Sequence, residues 1–395
     1  MLQTTTIDII KSTIPLLETH GRQITDVFYE NLFTNHPYLM NIFNMANQST
    51  GSQSRALSNA VIAYAKNIEN IEVLLPVVAR IAHKHVSLGV QAKHYALVGE
   101  NLLSAIAHVL SLPADHPALT AWGEAYGILA DVFIDAEKNL YIEGNEQHGG
   151  WIDFRDFYIE RIENETPEVK SFYLQPMDLE AIPSFKGGQY IGVKVRPDGH
   201  EHDQIRQYSL SQKGGFRITV KAEHQGSVSN YLHQCKPHDP ISLQVPTGVF
   251  TLNTTQEEQK KHIFIAGGVG ITPLMSMVQE AIESGINNED ILFIQCAKDP
   301  EHQIFKRDLA DLITASTGFN HKLCYENSDD GDHQGYLNKQ IIGQWLSESG
   351  FNNQNSHVYF CGPKPFMAVL NQFFIDLGFH ESHIHYEVFG PTTSL

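Results

Sequence analysis

The sequence predicts a multidomain protein: an all-α domain, then a small antiparallel β-barrel, then an α/β domain built on a parallel sheet. Three observations carry that reading. Residues 1–143 keep apolar spacings of three and four, residues 151–257 fall into short alternating stretches between Gly/Pro turns, and from 258 strand-like and helix-like runs alternate. At 395 residues the chain is also longer than a single core fills.

Composition narrows the function classes. With 42% hydrophobic and 18% charged residues the chain has the make-up of a globular enzyme and no disordered majority. Its 27 basic and 45 acidic residues give 27 − 45 = −18, and so acidic a surface repels phosphate backbones and anionic lipid. Nucleic-acid partners and stable membrane association are therefore not expected. The four cysteines, Cys235, Cys296, Cys324 and Cys361, form no C-x-x-C pair, which argues against a disulfide framework, a thiolate metal site or an iron–sulfur cluster. No apolar run approaches the roughly 18 residues of a membrane span, and the N-terminus lacks the basic and apolar regions of a secretory signal. A cytoplasmic monomer is expected.

The first element is an amphipathic helix, with Thr5 and Asp8 suited to a capping box and Ile7, Ile10, Ile14 and Leu17 on one face. Further helical runs such as 54–68 and 126–141 follow, with breakers at Gly21, His36-Pro37, Gly51 and Leu112-Pro113. Residues 144–150 (Gly-Asn-Glu-Gln-His-Gly-Gly) read as a linker. Strands are expected at 189–195, 207–210, 216–220 and 241–245, and a parallel unit at 262–266, 273–284, 291–296, 357–361 and 365–377.

Within the helical domain two histidines share one helix. His85 has Val78, Ile81 and Ala82 on its face, whereas His83 is turned about 200° away beside Ala79, Arg80 and Ser87. One of 21 histidines would ordinarily be read as packing or surface. His85, however, projects from the apolar face as an iron ligand would. Upstream, Gln53, Leu57, Val61 and Tyr64 line one face, Tyr29 sits among Thr25, Leu32 and Phe33, and Phe43 lies in a connection. Glu137 has Phe133, Ile134, Leu140 and Tyr141 at helical spacing, an environment costly for a carboxylate without a partner. Tyr95 is a candidate for that partner.

In the barrel, Arg206-Gln207-Tyr208-Ser209 falls on a strand whose period of two sends Arg206 and Tyr208 to one face and Ser209 to the other. A cation and an aromatic offered together suit a flavin, the Arg to its pyrophosphate and the Tyr to its ring. Gly188-Gln189-Tyr190 precedes it, and Gly226-Ser227-Val228-Ser229 places free N–H groups at a helix start, an anion site. Farther on, Gly268-Val269-Gly270-Ile271-Thr272-Pro273 is a glycine turn between a buried strand and a helix. There Gly268 and Gly270 allow backbone approach to a pyrophosphate, and Thr272 can donate to it. Cys361 and Gly362 end a later strand at the carboxyl edge of the sheet, where ligands bind.

In this order the motifs resemble the bacterial flavohaemoglobins, a globin fold fused to a ferredoxin-reductase-type module with an FAD β-barrel and a nicotinamide-binding α/β domain. The resemblance covers the whole chain. It implies haem b held through His85 as iron ligand, Phe43 as the aromatic wedge, and Tyr29, Gln53 and Leu57 as the distal pocket. It makes His85, Tyr95 and Glu137 a hydrogen-bonded proximal triad, which pushes electron density toward iron. It assigns FAD to Tyr190, Arg206–Ser209 and Ser227–Ser229, and NAD(P)H to Gly268–Pro273 with Cys361 and Gly362. The terminal Tyr386-Glu387-Val388-Phe389-Gly390-Pro391 resembles the family's last segment, with Phe389 beside the flavin. Lys84 and Glu387 are implied for the ground between flavin and haem. Many relatives carry Cys where Val388 stands, and proline where Gly187 stands; the latter is read here as a matter of turn stiffness. The implied activity is NO dioxygenation: NAD(P)H reduces FAD, FAD reduces haem, and NO and O₂ give nitrate. Two other readings stay open, an O₂ or NO binding or sensing haemoprotein with its own reductase, and an NAD(P)H-dependent reductase of lipid hydroperoxides whose haem pocket admits an apolar guest.

Overall fold

The computed structural model describes residues 2–45, 48, 50–252, 260–316 and 318–390. They group into two compact units, 1–154 with 192–206, and 155–191 with 207–395.

The first unit is helical: α1 (Thr4–Asn35), α2 (Ser52–Lys66), α3 (Leu75–Leu88), α4 (Ala92–Val109) and α5 (Pro117–Glu146), with short 3₁₀ turns at Pro37–Asn41 and Ile71–Leu74. Ile10, Leu17, Ile24, Phe28, Leu32, Tyr64, Leu102, Ile106 and Trp122 form its core. Gly21 does not break the first helix, contrary to the expectation. A Cβ there would stand 2.4 Å from Ser58 Oγ, so the glycine serves the close approach of α2 to α1. Nor does the Thr5–Asp8 capping box form, because α1 begins at Thr4 behind Gln3, which makes no side-chain cap bond. The real box lies on α4, where Gln91 N donates to His94 Nδ1 at 3.1 Å. Gly89, at φ 75°, ends α3 one turn after His85, and Val90 N closes the cap on His85 O at 3.0 Å. α5 continues through the polar residues 144–146, and the chain turns beyond it, with Gly150 N donating to Gln147 O at 2.8 Å.

The second unit holds most of two sheets. The first uses β1 (Arg155–Thr166), β2 (Val169–Pro176), β3 (Tyr190–Val195), β4 (Gln204–Ser209), β5 (Phe216–Lys221) and β6 (Pro240–Leu243), in the order β4-β3-β6-β1-β2-β5. The pairs β1–β2, β1–β6 and β2–β5 are antiparallel, and the bridge Leu210↔Ile218 links the end of β4 to β5, the opposite edge, as barrel closure requires. Helix α6 (Ser227–Gln234) follows β5.

The other sheet is parallel, in the order β10-β9-β8-β7-β11-β12, from β7 (Lys261–Gly267), β8 (Ile291–Ala297), β9 (Asn320–Tyr325), β10 (His333–Gln334), β11 (Ser356–Cys361) and β12 (Ile384–Tyr386). Its central strands are buried on both faces. Phe264, Phe293 and Tyr359 face a core with α7 (Ile271–Glu283) and α8 (Lys306–Ala315). Ile263, Ile265, Val358 and Phe360 face the opposite core, with α9 (Lys339–Glu348) and α10 (Lys364–Asp376). The strand order reverses between β7 and β11, which makes their carboxyl ends a switch point. Among the described residues no single helix is long and apolar enough to cross a membrane.

Candidate functional site

The helical unit brings three sequence-predicted residues together. His85 Nδ1 lies 2.7 Å from Glu137 Oε1 and 3.1 Å from Tyr95 Oη, and the Tyr95 hydroxyl donates to the same Glu137 oxygen at 2.5 Å. Glu137 is only 2% exposed, so its carboxylate has left water and depends on these two donors. Burial and the adjacent Glu137 carboxylate push the Tyr95 phenol well above its ordinary value, which keeps it a donor. The supports are themselves braced: Tyr126 Oη donates to Tyr95 O at 2.6 Å, and Tyr141 Oη to Val90 O at 2.7 Å. With Nδ1 engaged, the ring offers Nε2 as its remaining ligand atom. His83 and Lys84 are likewise half-buried on the same helix.

The second group surrounds Tyr29. Its ring centroid lies 5.9 Å from those of Phe33 and Phe43, and Phe33 and Phe43 lie 5.4 Å apart. Leu57 packs half-buried against the same core, while Tyr64 is turned away, donating to Ala125 O at 2.8 Å. Burial raises the Tyr29 phenol far above its usual value, against the opposing hydrogen bonds of Gln53 and then Gln48. Two buried amide atoms in this pocket, Gln53 Oε1 and Gln48 Nε2, have no partner. Since an amide can turn end for end, each amide has one unused hydrogen-bonding end beside Tyr29.

On the barrel, Tyr190 pairs by both backbone groups with Thr247, and its buried ring packs on Gly248, where a Cβ would lie 3.0 Å from the ring. Burial first, and the Glu387 carboxylate second, hold its phenol protonated. Arg206, Gln207 and Tyr208 are half-buried on β4, Ser209 is buried, and Arg206 Nη1 donates to Ile205 O at 2.8 Å. Ser227, Val228 and Ser229 open α6, and Ser229 Oγ returns to Gly226 O at 3.3 Å. Gly187 is a packing position rather than one of turn stiffness. Its N–H donates to the Glu280 carboxylate, and a Cβ would lie 2.6 Å from Ser276 O, so proline would lose the donor and collide.

At the switch point Gly268, at φ 54°, leaves space for a ligand, since a Cβ there would meet nothing within 4 Å. Gly270 lies against the end of β11. A Cβ on it would lie 2.3 Å from Cys361 C and 2.5 Å from Gly362 N, so it lets the ends of β7 and β11 touch. Thr272 is buried and donates back to Val269 O at 3.0 Å. Ile271 and Pro273 are buried in the first turn of α7, with Val269 at its entrance. The buried Cys361 thiol is pushed far above its ordinary value by burial and then by Glu387. Glu387, Val388 and Gly390 follow β12, and Phe389 is 49% exposed; Pro391 lies outside the described residues.

Three family descriptions match in chain order: globin over residues 26–133, oxidoreductase FAD-binding domain over 157–252 and oxidoreductase NAD-binding domain over 264–372. The chain is 43% identical to a flavohemoprotein of Halalkalibacterium halodurans, covering 98% of this chain and 96% of that one. A Bacillus subtilis flavohemoprotein is 40% identical, over 100% and 99%. The chain belongs to the flavohemoprotein family. A flavohemoglobin of Malassezia yamatoensis with bound FAD and haem superposes with TM-score 0.88 at 25% identity, covering 98% of this chain and 100% of that one. The FAD/NAD-binding domain of a Vibrio cholerae nitric oxide dioxygenase, 31% identical, matches with TM-score 0.54 over 60% of this chain and 100% of that one.

This flavohemoprotein is an oxidoreductase with haem, FAD and a nicotinamide nucleotide as cofactors. Its residues fit them. An imidazole with one nitrogen engaged, unpartnered amide ends in an apolar pocket, an exposed aromatic at Phe389 and an open glycine turn at Gly268 are each costly or idle without a ligand. Gln48 is the pocket residue that sequence reasoning missed. Its signal was a glutamine five positions before Gln53, on a turn too short to show a helical period.

Proposed function

We propose that this flavohemoprotein is an NAD(P)H-dependent nitric oxide dioxygenase, 2 NO + 2 O₂ + NAD(P)H giving 2 nitrate, NAD(P)⁺ and H⁺. The observation that carries the reading is the buried Glu137–Tyr95–His85 assembly, which a passive O₂ or NO carrier does not need. When bound, the cofactors supply hydride acceptance, one-electron transfer and O₂ activation. Glu137 holds the His85 Nδ1 proton, fixes the tautomer and leaves Nε2 as the iron ligand. Tyr95 donates to the same carboxylate and fixes its rotamer. Across the pocket, Tyr29 keeps its phenolic proton and can donate it to a small polar ligand, while Gln53 and Gln48 orient the hydroxyl. Phe43 and Leu57 exclude water and position the macrocycle. In the reductase, Arg206 and the α6 N-terminus at Ser227–Ser229 are assigned to the flavin pyrophosphate, and Tyr190, Tyr208 and Phe389 to the flavin itself. Gly268, Val269 and the edge at Gly362 receive the nicotinamide nucleotide. The test is NAD(P)H oxidation by loaded protein with NO and O₂. Nitrate forming at two per NAD(P)H supports the proposal, and NAD(P)H oxidation without NO loss refutes it.

A further inference from the structure

Four cysteines without a C-x-x-C spacing gave no sign of pairing, yet the fold brings two of them side by side. Cys296 on β8 and Cys324 on β9 are direct partners in a parallel ladder, 28 residues apart in sequence. Both sulfurs are free, and Cys296 packs half-buried against the core that contains the buried Cys324. Paired residues on neighbouring strands point to the same face about 4.8 Å apart. That spacing lies inside the roughly 4.4–6.8 Å Cα window of bridged cysteines. The neighbouring sulfur is the first cause of a shift at each thiol, upward at Cys296 and downward at Cys324. When protonated, Cys324 donates to Gly335 O at 3.2 Å.

The row continues across the sheet. Cys296 is paired on its other side with Gly267, the last residue of β7 and the one that feeds the Gly268–Gly270 turn. The dithiol therefore lies at the carboxyl edge, one strand from the loop assigned to the nicotinamide nucleotide.

We propose that Cys296 and Cys324 form a reversible disulfide, made by hydrogen peroxide, that restrains nicotinamide use. Cys324, as thiolate, takes one oxygen from peroxide with one proton and becomes a sulfenic acid, and water leaves. Cys296 then displaces the hydroxyl, and the second water leaves. Overall two thiols lose two electrons and two protons, and H₂O₂ becomes two H₂O. The gating part rests on the proposed nicotinamide role of the Gly268 turn.

The experiment uses the full, FAD- and haem-loaded protein, reduced and then treated with limiting hydrogen peroxide. Peptide mapping should show the Cys296 and Cys324 peptides linked. Stopped-flow flavin reduction by NADH should slow several-fold and recover with dithiothreitol. Cys296→Ser should show the untreated rate and no slowing after the same peroxide exposure, which separates thiol chemistry from damage at haem; Cys324→Ser provides the second arm. Peptides that remain separately alkylatable after oxidation overturn the proposal, and so does a linked protein with an unchanged rate. If reduced protein takes no hydride from either NADH or NADPH, the nicotinamide assignment fails instead, and the mapping still decides the disulfide.

Discussion

The chemistry of the helical unit rests on a carboxylate in the wrong solvent. Glu137, 2% exposed, is tolerable only because the Tyr95 hydroxyl and the His85 ring both face one of its oxygens. Glu137→Gln keeps the shape but removes the charge that polarises the imidazole. It should retain haem, raise the haem reduction potential and lower NO-dependent turnover by roughly 10–100-fold, the usual effect of losing a ligand's hydrogen-bond partner. An unshifted potential in a spectroelectrochemical titration would make the carboxylate a mere packing residue. Opposite it, Tyr29→Phe deletes a hydroxyl bond worth roughly 1.5–3 kcal/mol to a polarised ligand, so O₂ should leave the reduced protein about one to two orders of magnitude faster. Both cofactors and flavin reduction should be unaffected, and stopped-flow O₂ release at wild-type rate would contradict the role. His85 was legible because its neighbours at minus seven and minus three, Val78 and Ala82, are buried. Gln48 was not, because its helical turn, where Gln48 N donates to Asn44 O at 3.2 Å, is too short to show a period in the sequence.

Elements with a strong period were legible and those defined by contacts were not. The expected strands and helices of the parallel unit appear, but β1 was missed: its polar run Glu160-Arg161 and Glu163-Asn164-Glu165 masks the alternation that buries Phe157 and Ile159. Gly21 and Gly270 illustrate the same limit, since each serves a neighbour distant in sequence. Gly270→Val forces the β7 and β11 ends apart. It should cost about 1–3 kcal/mol of stability, as overpacking does, and so lower the urea midpoint besides weakening NADH-driven flavin reduction. An unchanged midpoint would return Gly270 to a purely nucleotide-facing role. The parallel sheet also carries a pH liability. Burial holds His262, His321 and His385 down at about 4, with His357 a neighbour of His262 and His385, and Asp290 and Asp332 opposing the shift at His262 and His321. Unfolded histidines titrate near 6.5, so between about 6.5 and 4 the unfolded chain binds more protons, and the folded state loses stability as pH falls. Urea unfolding of the reductase signal at pH 7 and pH 5 should show a lower midpoint at pH 5; equal midpoints would mean these rings are solvated.

At the scale of the molecule, the order helical unit, barrel, parallel sheet was readable from the change of period alone, and the relatives share it along their full length. The ligand sets are carried by separate stretches of chain, so they should fail separately. His85→Ala should lose haem and keep FAD, while Arg206→Ala should weaken FAD binding and keep haem; absorption spectra of the two purified variants check both. The account as a whole claims that reducing equivalents from NAD(P)H end in nitrate, and one measurement reaches that claim directly. Simultaneous recording of NO, O₂ and NAD(P)H with the loaded wild-type protein should show NO and O₂ disappearing one to one and two NO per NAD(P)H. NAD(P)H consumption that proceeds at the same rate with and without NO, leaving NO in solution, would contradict it.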